Sequence, residues 1–346
     1  MANPSTPTKG ERPLWVKMVA KYQTPDTRAA LWQVATSFLP FLAFQALTVF
    51  ALKVSFWLAL PLAVVAAGFL MRVFIILHDC GHGSFFKNQK WNDALGVIAG
   101  VLVFTPYFHW RHSHAIHHAG SGDLDRRGIG DVDTLTVREF NALPWYRQLW
   151  YRIYRNPVVM FFIGAPLLFM ILHRFSYGDY PARERHSVHW TNLGILLVGL
   201  AWSALAGWQA YLIMQALVMW IASVVGVWLF YVQHNFEETY WKPHPEWDYY
   251  TASLKGSSYY KLPKILQWFS GNIGFHHVHH LSPKIPNYQL ERCFRENPVF
   301  HDVSTLTLRT SFKSLSWRLW DEDLQRMVGF ARAAEVRRLA KAEVSA

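Results

Sequence analysis

The apolar stretch FWLALPLAVVAAGFLMRVFIIL, residues 56–77, runs without a break into the histidine motif HDCGH, residues 78–82. It carries a single charge, Arg72, and it is long enough to cross the hydrocarbon core of a bilayer, which is about 30 Å thick. A preceding stretch, residues 31–54, is of similar length and is separated from it by one residue. The two stretches therefore predict a helical hairpin that spans a membrane.

A second pair of long apolar stretches, residues 190–206 and 209–232, predicts a second hairpin. Two further stretches, residues 94–108 and 157–172, are only about 15 residues long and contain glycine and proline, which is typical of interfacial or re-entrant segments. If residues 157–172 crossed the bilayer alone, the histidines after them would lie on the opposite side from the histidines before them. We therefore expect four spanning helices.

The composition and charge narrow the class of protein. Hydrophobic residues make up 52% of the chain, which has 17 tryptophans and a formal net charge of +11. Basic residues lie mostly between the apolar stretches and at the ends, so we expect membrane lipids and an acidic partner protein, and no nucleic acid. The two cysteines exclude a disulfide framework. Residues 1–28 are basic without an apolar core, which predicts no cleavable signal peptide and a cytoplasmic location for both open ends of the first hairpin.

Three clusters, residues 78–82, 109–118 and 276–280, hold eleven of the 17 histidines. If each cluster is helical, the 100° turn per residue sorts the imidazoles into those that share one face and those that do not. The histidines outside the shared arcs are His109, His112 and His277. The histidines inside them, together with His234 at the end of the last apolar stretch, are the candidate metal ligands: His78, His82, His114, His117, His118, His234, His276, His279 and His280.

Eight or nine nitrogen ligands are too many for one ion of four to six coordination, so the number predicts two ions. Structural zinc sites favour cysteine, and haem uses one or two axial histidines, which leaves a two-metal redox centre with iron as the leading candidate. We expect no catalytic residue beyond the ligands. Isolated histidines, such as His173, are expected at ordinary surface or core positions. Asp79, and Glu237 or Glu238, either orient imidazole N–H groups or are solvated charges.

The three clusters resemble the histidine boxes of the membrane fatty acid desaturase family. The boxes are His78-Asp79-Cys80-Gly81-His82, then His114-Ala115-Ile116-His117-His118, then His276-His277-Val278-His279-His280. Neighbouring residues are similar to those of the acyl-lipid subgroup of the Δ12/ω6 type: Ser84-Phe85, Pro106-Tyr107, Trp110-Arg111 and Pro286-Asn287-Tyr288. One position differs from the acyl-CoA branch, because Phe230 stands four residues before His234 where that branch carries an asparagine near the metal.

The resemblance implies a single all-α integral membrane domain, with four transmembrane helices in two hairpins, short interfacial helices and a cytosolic helical cap that holds a di-metal centre. The expected segments are a cytosolic N-terminus (1–28), the first hairpin (31–77), a cytosolic or interfacial region (78–189), the second hairpin (190–232), the cap (233–320) and a charged tail (321–346). Within the tail, residues 322–343 are expected to form a solvated helix.

The resemblance also implies an activity: two iron ions and O2 desaturate a fatty acyl chain, lipid-linked in this subgroup, that lies in an apolar tunnel. The two electrons are expected from a separate ferredoxin or cytochrome b5-like protein, since His244-Pro245 is followed by Glu246-Trp247 and not by the Gly-Gly of a fused cytochrome b5. The active site is expected on the cytoplasmic face.

Other functions stay open at this stage. A hydroxylase, an acetylenase or a carotenoid-modifying oxygenase uses the same boxes. A metal transporter with histidine-lined sites is a more distant alternative, because transporter ligands are expected near the middle of the bilayer and these clusters lie outside the apolar stretches. The double-bond position, chain length, acyl carrier and oligomeric state are not readable from the motifs.

Overall fold

Helices dominate the computed structural model, which describes residues 13–176 and 178–345. The predictions for residues 1–12 therefore lie outside the described residues. In chain order the α-helices are α1 (Leu14–Ala20), α2 (Thr27–Leu52), α3 (Phe56–His82), α4 (Gln89–Leu102), α5 (Tyr107–Gly120), α6 (Val137–Ala142), α7 (Trp145–Tyr154), α8 (Ala165–Met170), α9 (Ala182–Ala206), α10 (Trp208–His234), α11 (Tyr249–Lys255), α12 (Lys264–Phe269), α13 (His276–Leu281), α14 (Asn287–Glu296), α15 (Leu308–Ser311) and α16 (Phe330–Ser345).

Strands are few and short in the described ranges. Two of them, β1 (Tyr259–Lys261) and β2 (Thr305–Thr307), pair in parallel, and the other two, β3 (Leu319–Asp321) and β4 (Arg326–Val328), form an antiparallel hairpin. A π-helical turn, Val158–Gly164, precedes α8. Short 3₁₀ turns complete the secondary structure: Leu172–Arg174, His244–Glu246, Pro298–Phe300 and Phe312–Ser316.

Four helices, α2, α3, α9 and α10, are long and apolar enough to cross a membrane. They form two hairpins, α2–α3 and α9–α10, and α3 and α10 pack against each other. Their outer faces leave large apolar side chains uncovered, such as Trp32 at 71% and Leu205 at 81% exposure. Continuous apolar surface of this kind marks contact with lipid rather than with water. The predicted class, an all-α membrane protein with four such helices, is confirmed.

Two bent helix pairs correspond to the shorter apolar stretches. Gln89–Leu102 and Tyr107–Gly120 meet at 103°, and Trp145–Tyr154 and Val158–Arg174 meet at 63°, so the number of spans would be six if each pair crossed once. Each helix of the first pair has 14 residues. At 1.5 Å per residue that is about 21 Å, which falls short of a hydrocarbon core of about 30 Å.

The first histidine box lies on the last turns of α3, because this helix continues past the predicted end at residue 77. It stops at Gly83, which has a φ of 63° in the left-handed region that favours glycine. The N–H of Ser84 donates to the carbonyl of Asp79, and the N–H of Gly83 donates to that of Cys80, each at 3.0 Å. This is a Schellman termination. It ends the helix directly after His82.

The third histidine box forms α13, which is buried along its whole length. Val278 and Leu281 pack into an apolar core with Val19 of α1 and Leu290 of α14. The helix is therefore held between α1 and the rest of the cap.

Two predicted boundaries differ from the structure. Helix α9 begins at Ala182 rather than at residue 190, because the polar residues before the apolar stretch continue the same helix. The prediction for residues 322–343 was wrong on two points, the residue at which the helix begins and its exposure to solvent. Residues 319–328 pair as a β-hairpin, and α16 begins only at Phe330. Ala333 is fully buried against Phe140 of α6, so this segment is not simply a solvated tail.

Arg155 joins three parts of the fold from a fully buried position. Its Nη1 donates to the carbonyl of Asp133 at 2.9 Å, and its Nη2 donates to Oδ1 of Asn235 at 2.8 Å and to the carbonyl of Trp317 at 3.2 Å. Asn235 directly follows α10, and Asp133 lies in the loop after α5. The guanidinium therefore ties that loop to the end of a membrane-spanning helix.

Replacing Arg155 by Met is expected to lower the free energy of unfolding by about 3 kcal/mol, since the buried oxygens that it serves lose their donors. The measurement is chemical denaturation in detergent micelles, followed by tryptophan fluorescence. Arg138→Met is the matched control, because Arg138 pairs with Asp323 on the surface and its loss should cost less than about 1 kcal/mol. Equal losses in the two variants would contradict the role given to Arg155.

Candidate metal centre

Four helices bring nine imidazoles to one place. The end of α3 carries His78 and His82, the end of α10 carries His234, and α5 and α13 carry the rest. These are the nine histidines that the sequence singled out. Their convergence depends on the packing of α3 against α10 and on α5 and α13, whose histidines meet those of the first two helices.

The nine side chains divide into two groups. In the first histidine group one nitrogen of each side chain lies within 4.8 Å of the others; its members are His78, His82, His114, His118 and His279. In the second, His117, His234 and His280 meet the same distance limit. His276 joins the second group, because its Nε2 is 2.9 Å from Nε2 of His234. Two groups of this size match the number of ions that the sequence predicts.

The spacing of the nitrogens fits metal ligation. Nε2 of His118 lies 3.1 Å from Nε2 of His114 and 3.0 Å from Nε2 of His279. Two imidazole nitrogens that bind one ion at right angles, each at about 2.1 Å, would lie about 3.0 Å apart. Neutral imidazole has one N–H and one lone pair, so contacts between three ring nitrogens leave at least one of them without a matched partner. A cation at the centre of each group removes this mismatch.

Six of the nine histidines are buried and three, His82, His114 and His234, are partly buried, and most keep a free nitrogen. Among the described residues, the buried ring nitrogens in the two groups without a hydrogen-bond partner are Nε2 of His82, His117 and His280 and Nδ1 of His118, His276 and His279. Burial, together with the neighbouring histidines, lowers the pKa of His276, His279 and His280 well below 6.5. These side chains are therefore neutral, which is the form that binds a metal ion.

Asp79 orients the first group. Its Oδ1 lies 3.1 Å from Nδ1 of His78, and its Oδ2 accepts hydrogen bonds from the backbone N and the Nδ2 of Asn287, at 2.6 and 2.8 Å. An ionised carboxylate only accepts, so Nδ1 of His78 carries the proton and Nε2 keeps the lone pair. Asp79 was predicted either to orient an imidazole N–H group or to be a solvated charge, and in the structure it orients the imidazole of His78. Asn287 belongs to the Pro-Asn-Tyr triplet and connects α14 to the end of α3.

The second group has two orienting acceptors that the sequence did not reveal. Oδ1 of Asp131 accepts a hydrogen bond from Nδ1 of His117, and the carbonyl of Gly256 accepts one from Nδ1 of His234 at 3.2 Å. Both bonds leave Nε2 free to face the group. Asp131 lies 14 residues after His117 in a glycine-containing loop, and no periodic spacing links the two residues. A backbone carbonyl such as that of Gly256 leaves no mark in a sequence.

Several residues near the clusters take other positions. His109 and His112 face the ring of Tyr180, and Nε2 of His277 contacts the carbonyl of Phe300 at 3.1 Å. The central cluster is therefore divided as predicted from the helical turn, with His109 and His112 on a different side from His114, His117 and His118.

The two glutamates after His234 do not reach it. Oε1 of Glu237 pairs with Arg326 at 3.4 Å, and Glu238 is exposed, so both are solvent-facing charges. Phe230 lies with its ring centre 5.2 Å from that of His117 and 5.1 Å from that of His234. It gives the second group an apolar wall and no ligand atom.

Comparison with known proteins agrees with this arrangement. The family model for fatty acid desaturase matches residues 55–307. The chain belongs to the fatty acid desaturase family. It is 48% identical over 314 residues to a fatty acid desaturase of Bacillus subtilis (strain 168), a match that covers 91% of this chain and 89% of the relative.

More distant relatives include desaturases named for a position in the acyl chain. The sn-1 oleoyl-lipid 12-desaturase of Synechocystis sp. (strain ATCC 27184 / PCC 6803 / Kazusa) is 29% identical over 68% of this chain and 67% of its own length. The Delta(12)-fatty-acid desaturase of Arabidopsis thaliana is 27% identical over 71% of this chain and 68% of its own length.

Replacing Asp131 by Asn is expected to weaken metal binding by about 10- to 100-fold, because an amide holds and polarises the His117 imidazole less well than a carboxylate. Titration of metal-free protein with iron(II) under anaerobic conditions measures the effect. Asp133→Asn is the matched control, two residues away and exposed. Equal affinities in the Asp131 variant and the control would show that Asp131 does not support a bound metal.

Proposed function

We propose that this protein is a membrane-bound oxidoreductase that introduces a double bond into a lipid-linked fatty acyl chain, at a position of the Δ12/ω6 type, with two iron ions, O2 and two electrons. The observation that carries the proposal is a cavity that begins among the membrane helices and ends at the histidine groups. The family supports the reaction class, and the names of the relatives support the position and the lipid-linked substrate.

The cavity has a volume of about 560 Å³, within the range of small-molecule sites. Helices α3 and α10 supply most of its apolar wall, with Phe74, Met219 and Leu229 among the residues that line it. At one place the wall consists of metal-ligand candidates: His78, His114 and His276. A flexible hydrocarbon chain fits such a space, and its methylene groups would pass next to the proposed metal centre.

The nine histidines are proposed to hold the two ions. Iron bound there supplies the capacity to activate O2 and remove hydrogen from adjacent methylenes. The chain itself positions the substrate and keeps water from the site. The ring of Trp110 stacks on that of His114, with centres 4.4 Å apart, and Phe230 covers the second group. Both rings also line the cavity, beside the candidate ligands His78, His114 and His276.

The two electrons are proposed to come from a separate acidic donor of the ferredoxin or cytochrome b5 type. The formal net charge of +11 supports this choice, because opposite charge speeds the encounter between two proteins. Arg126 and Arg138 are exposed in the segment between α5 and α7, on the polar side of the fold.

Expression in a host that lacks polyunsaturated acids tests the activity. The native protein is expected to produce a new double bond, and His117→Ala is expected to abolish it because the second group loses a ligand. His112→Ala should retain a substantial part, since His112 faces Tyr180. Fatty acid profiling by gas chromatography with mass spectrometry measures both. Complete loss of activity in both variants would contradict the division of the central cluster. A hydroxylated or acetylenic product would show that the protein is a hydroxylase or an acetylenase and not a desaturase.

The active site is proposed to face the cytoplasm, with only the four long helices crossing the membrane. The basic segments on either side of the hairpins support this orientation. Arg183→Cys, next to the start of α9, is expected to react with a thiol reagent only after the membrane has been permeabilised. A cysteine in place of Leu205 or Gly207, at the opposite end of that hairpin, is the control that reacts in intact cells. Labelling of Arg183→Cys from outside would overturn the four-span topology.

A further inference from the structure

The first histidine group comes close to the outside of the protein at the end of α3. His78 and His114 line the cavity, whereas His82 does not, although His82 is only partly buried. Its Nε2 is buried, and the glycines on either side of it, Gly81 and Gly83, are partly exposed. The chain at His82 therefore lies between the proposed metal centre and the outer surface.

Two basic side chains lie directly against this end of α3. Nζ of Lys284 donates to the carbonyl of His82 at 2.7 Å. Cγ of Arg111 lies 3.9 Å from the position that a Cβ of Gly81 would take. Lys284 belongs to the cap and Arg111 to α5, so two separate parts of the chain bring positive charge to the same place.

The loop after α3 adds further positive charge. A Cβ at Gly83 would meet both Nζ of Lys284 and the side-chain oxygen of Gln89, so Gln89 lies over the end of the helix. Lys87 and Lys90, which flank Gln89 in the sequence, are exposed. The loop therefore places two solvated cations beside those of Lys284 and Arg111.

One carboxylate, Asp93, lies among these cations and is shared between two of them. Its Oδ1 is 3.0 Å from Nη1 of Arg111, and its Oδ2 is 3.1 Å from Nη2 of Arg183. Five cations and one carboxylate leave a formal charge of +4. The five basic residues are called the basic patch below: Lys87, Lys90, Arg111, Arg183 and Lys284.

The surface beside the second histidine group has more negative charge. Glu237 and Glu238 follow His234 by three and four residues, and the loop after α5 adds further carboxylates: Asp125, Asp131 and Asp133. The exposed arginines of that segment, Arg126 and Arg138, each pair with an aspartate. An acidic protein would therefore be attracted to the basic patch and repelled from the other side of the histidine groups.

We propose that the basic patch is the docking surface of the electron donor, a small acidic protein that carries one electron, and that the donor binds over His82. The proposal rests on the proposed function, because it takes a metal centre that needs two electrons. Each encounter transfers one electron, which oxidises the donor and reduces the metal centre, so two encounters supply the pair. Electron transfer slows steeply with distance, and a donor over His82 faces a candidate ligand of the first group directly.

An anionic lipid headgroup is the other partner that such a charge could attract. Trp91, next to Lys90, is 67% exposed, so one edge of the basic patch lies near the lipid-facing surface. The observations favour a protein, because the basic patch surrounds the end of α3 that carries a candidate ligand. Electron delivery depends on closeness to that ligand, and lipid binding does not.

The test measures binding of a plant-type [2Fe–2S] ferredoxin, in its oxidised form, to the full-length, iron-loaded protein in nanodiscs of phosphatidylcholine. The soluble domain of cytochrome b5 is the second probe. Lys87→Glu/Lys90→Glu changes two exposed residues and is expected to bind the better of the two probes about tenfold more weakly at low salt. The difference should shrink between 0.1 and 1 M salt, since the Debye length falls from about 10 Å to about 3 Å.

Two further variants separate the basic patch from net charge and from packing. Lys255→Glu/Lys261→Glu makes the same change in net charge at exposed positions on α11 and β1, and its affinity should stay within about threefold of the native value. Lys87→Arg/Lys90→Arg keeps both charges and should bind as the native protein does.

Each outcome decides the matter. Equal affinity in the native protein and Lys87→Glu/Lys90→Glu overturns the docking surface, and so does an equal loss in the Lys255→Glu/Lys261→Glu control. Failure of the native protein to bind either probe overturns it as well. If Lys87→Glu/Lys90→Glu loses co-purifying phosphatidylglycerol but keeps its affinity for the probes, the basic patch binds lipid instead.

Failure of the proposed function gives a different result. If the probe binds at the basic patch as expected, but its reduced form and O2 give no double bond in the acyl chain, the docking surface stands and the desaturase assignment fails. If a chemical reductant supports desaturation while probe binding ignores the basic patch, the desaturase assignment stands and the docking surface fails.

Discussion

The structure depends on the convergence of nine imidazoles, six buried and three partly buried, from the ends of two membrane helices and from α5 and α13. Each side chain loses water, and ring nitrogens face one another at 2.9–3.1 Å in three pairs. Lone pairs that face one another with so few N–H donors are unfavourable in a buried site. The same arrangement is favourable when a cation lies at the centre of each group. The neighbouring contacts all serve to hold these rings in one orientation.

That orientation comes from outside the histidine boxes. Asp79 is shared between His78 and Asn287, so α3 and α14 are held together through one carboxylate. Asp131 does the same for His117 from a loop that Arg155 ties to the end of α10 through Asp133. The geometry of the histidine groups and the stability of the fold therefore share the same buried contacts, and a change far from these groups can alter the position of a candidate ligand.

The cavity links the membrane part of the fold to this centre. Most of its apolar wall comes from the same helices that carry the first box and His234, so the cavity and these candidate ligands are positioned by one pair of packed helices.

The sequence by itself determined the membrane helices, the two hairpins and the nine histidines that meet, because apolar length and the 100° helical turn are local properties. It also identified the family, since the three boxes are short contiguous motifs. Only the tertiary structure decided that Asp131 and Gly256 orient the second group, that Glu237 pairs with Arg326, and that residues 319–328 form a hairpin. The first three contacts join residues 14, 22 and 89 positions apart in the chain, and no periodicity relates them.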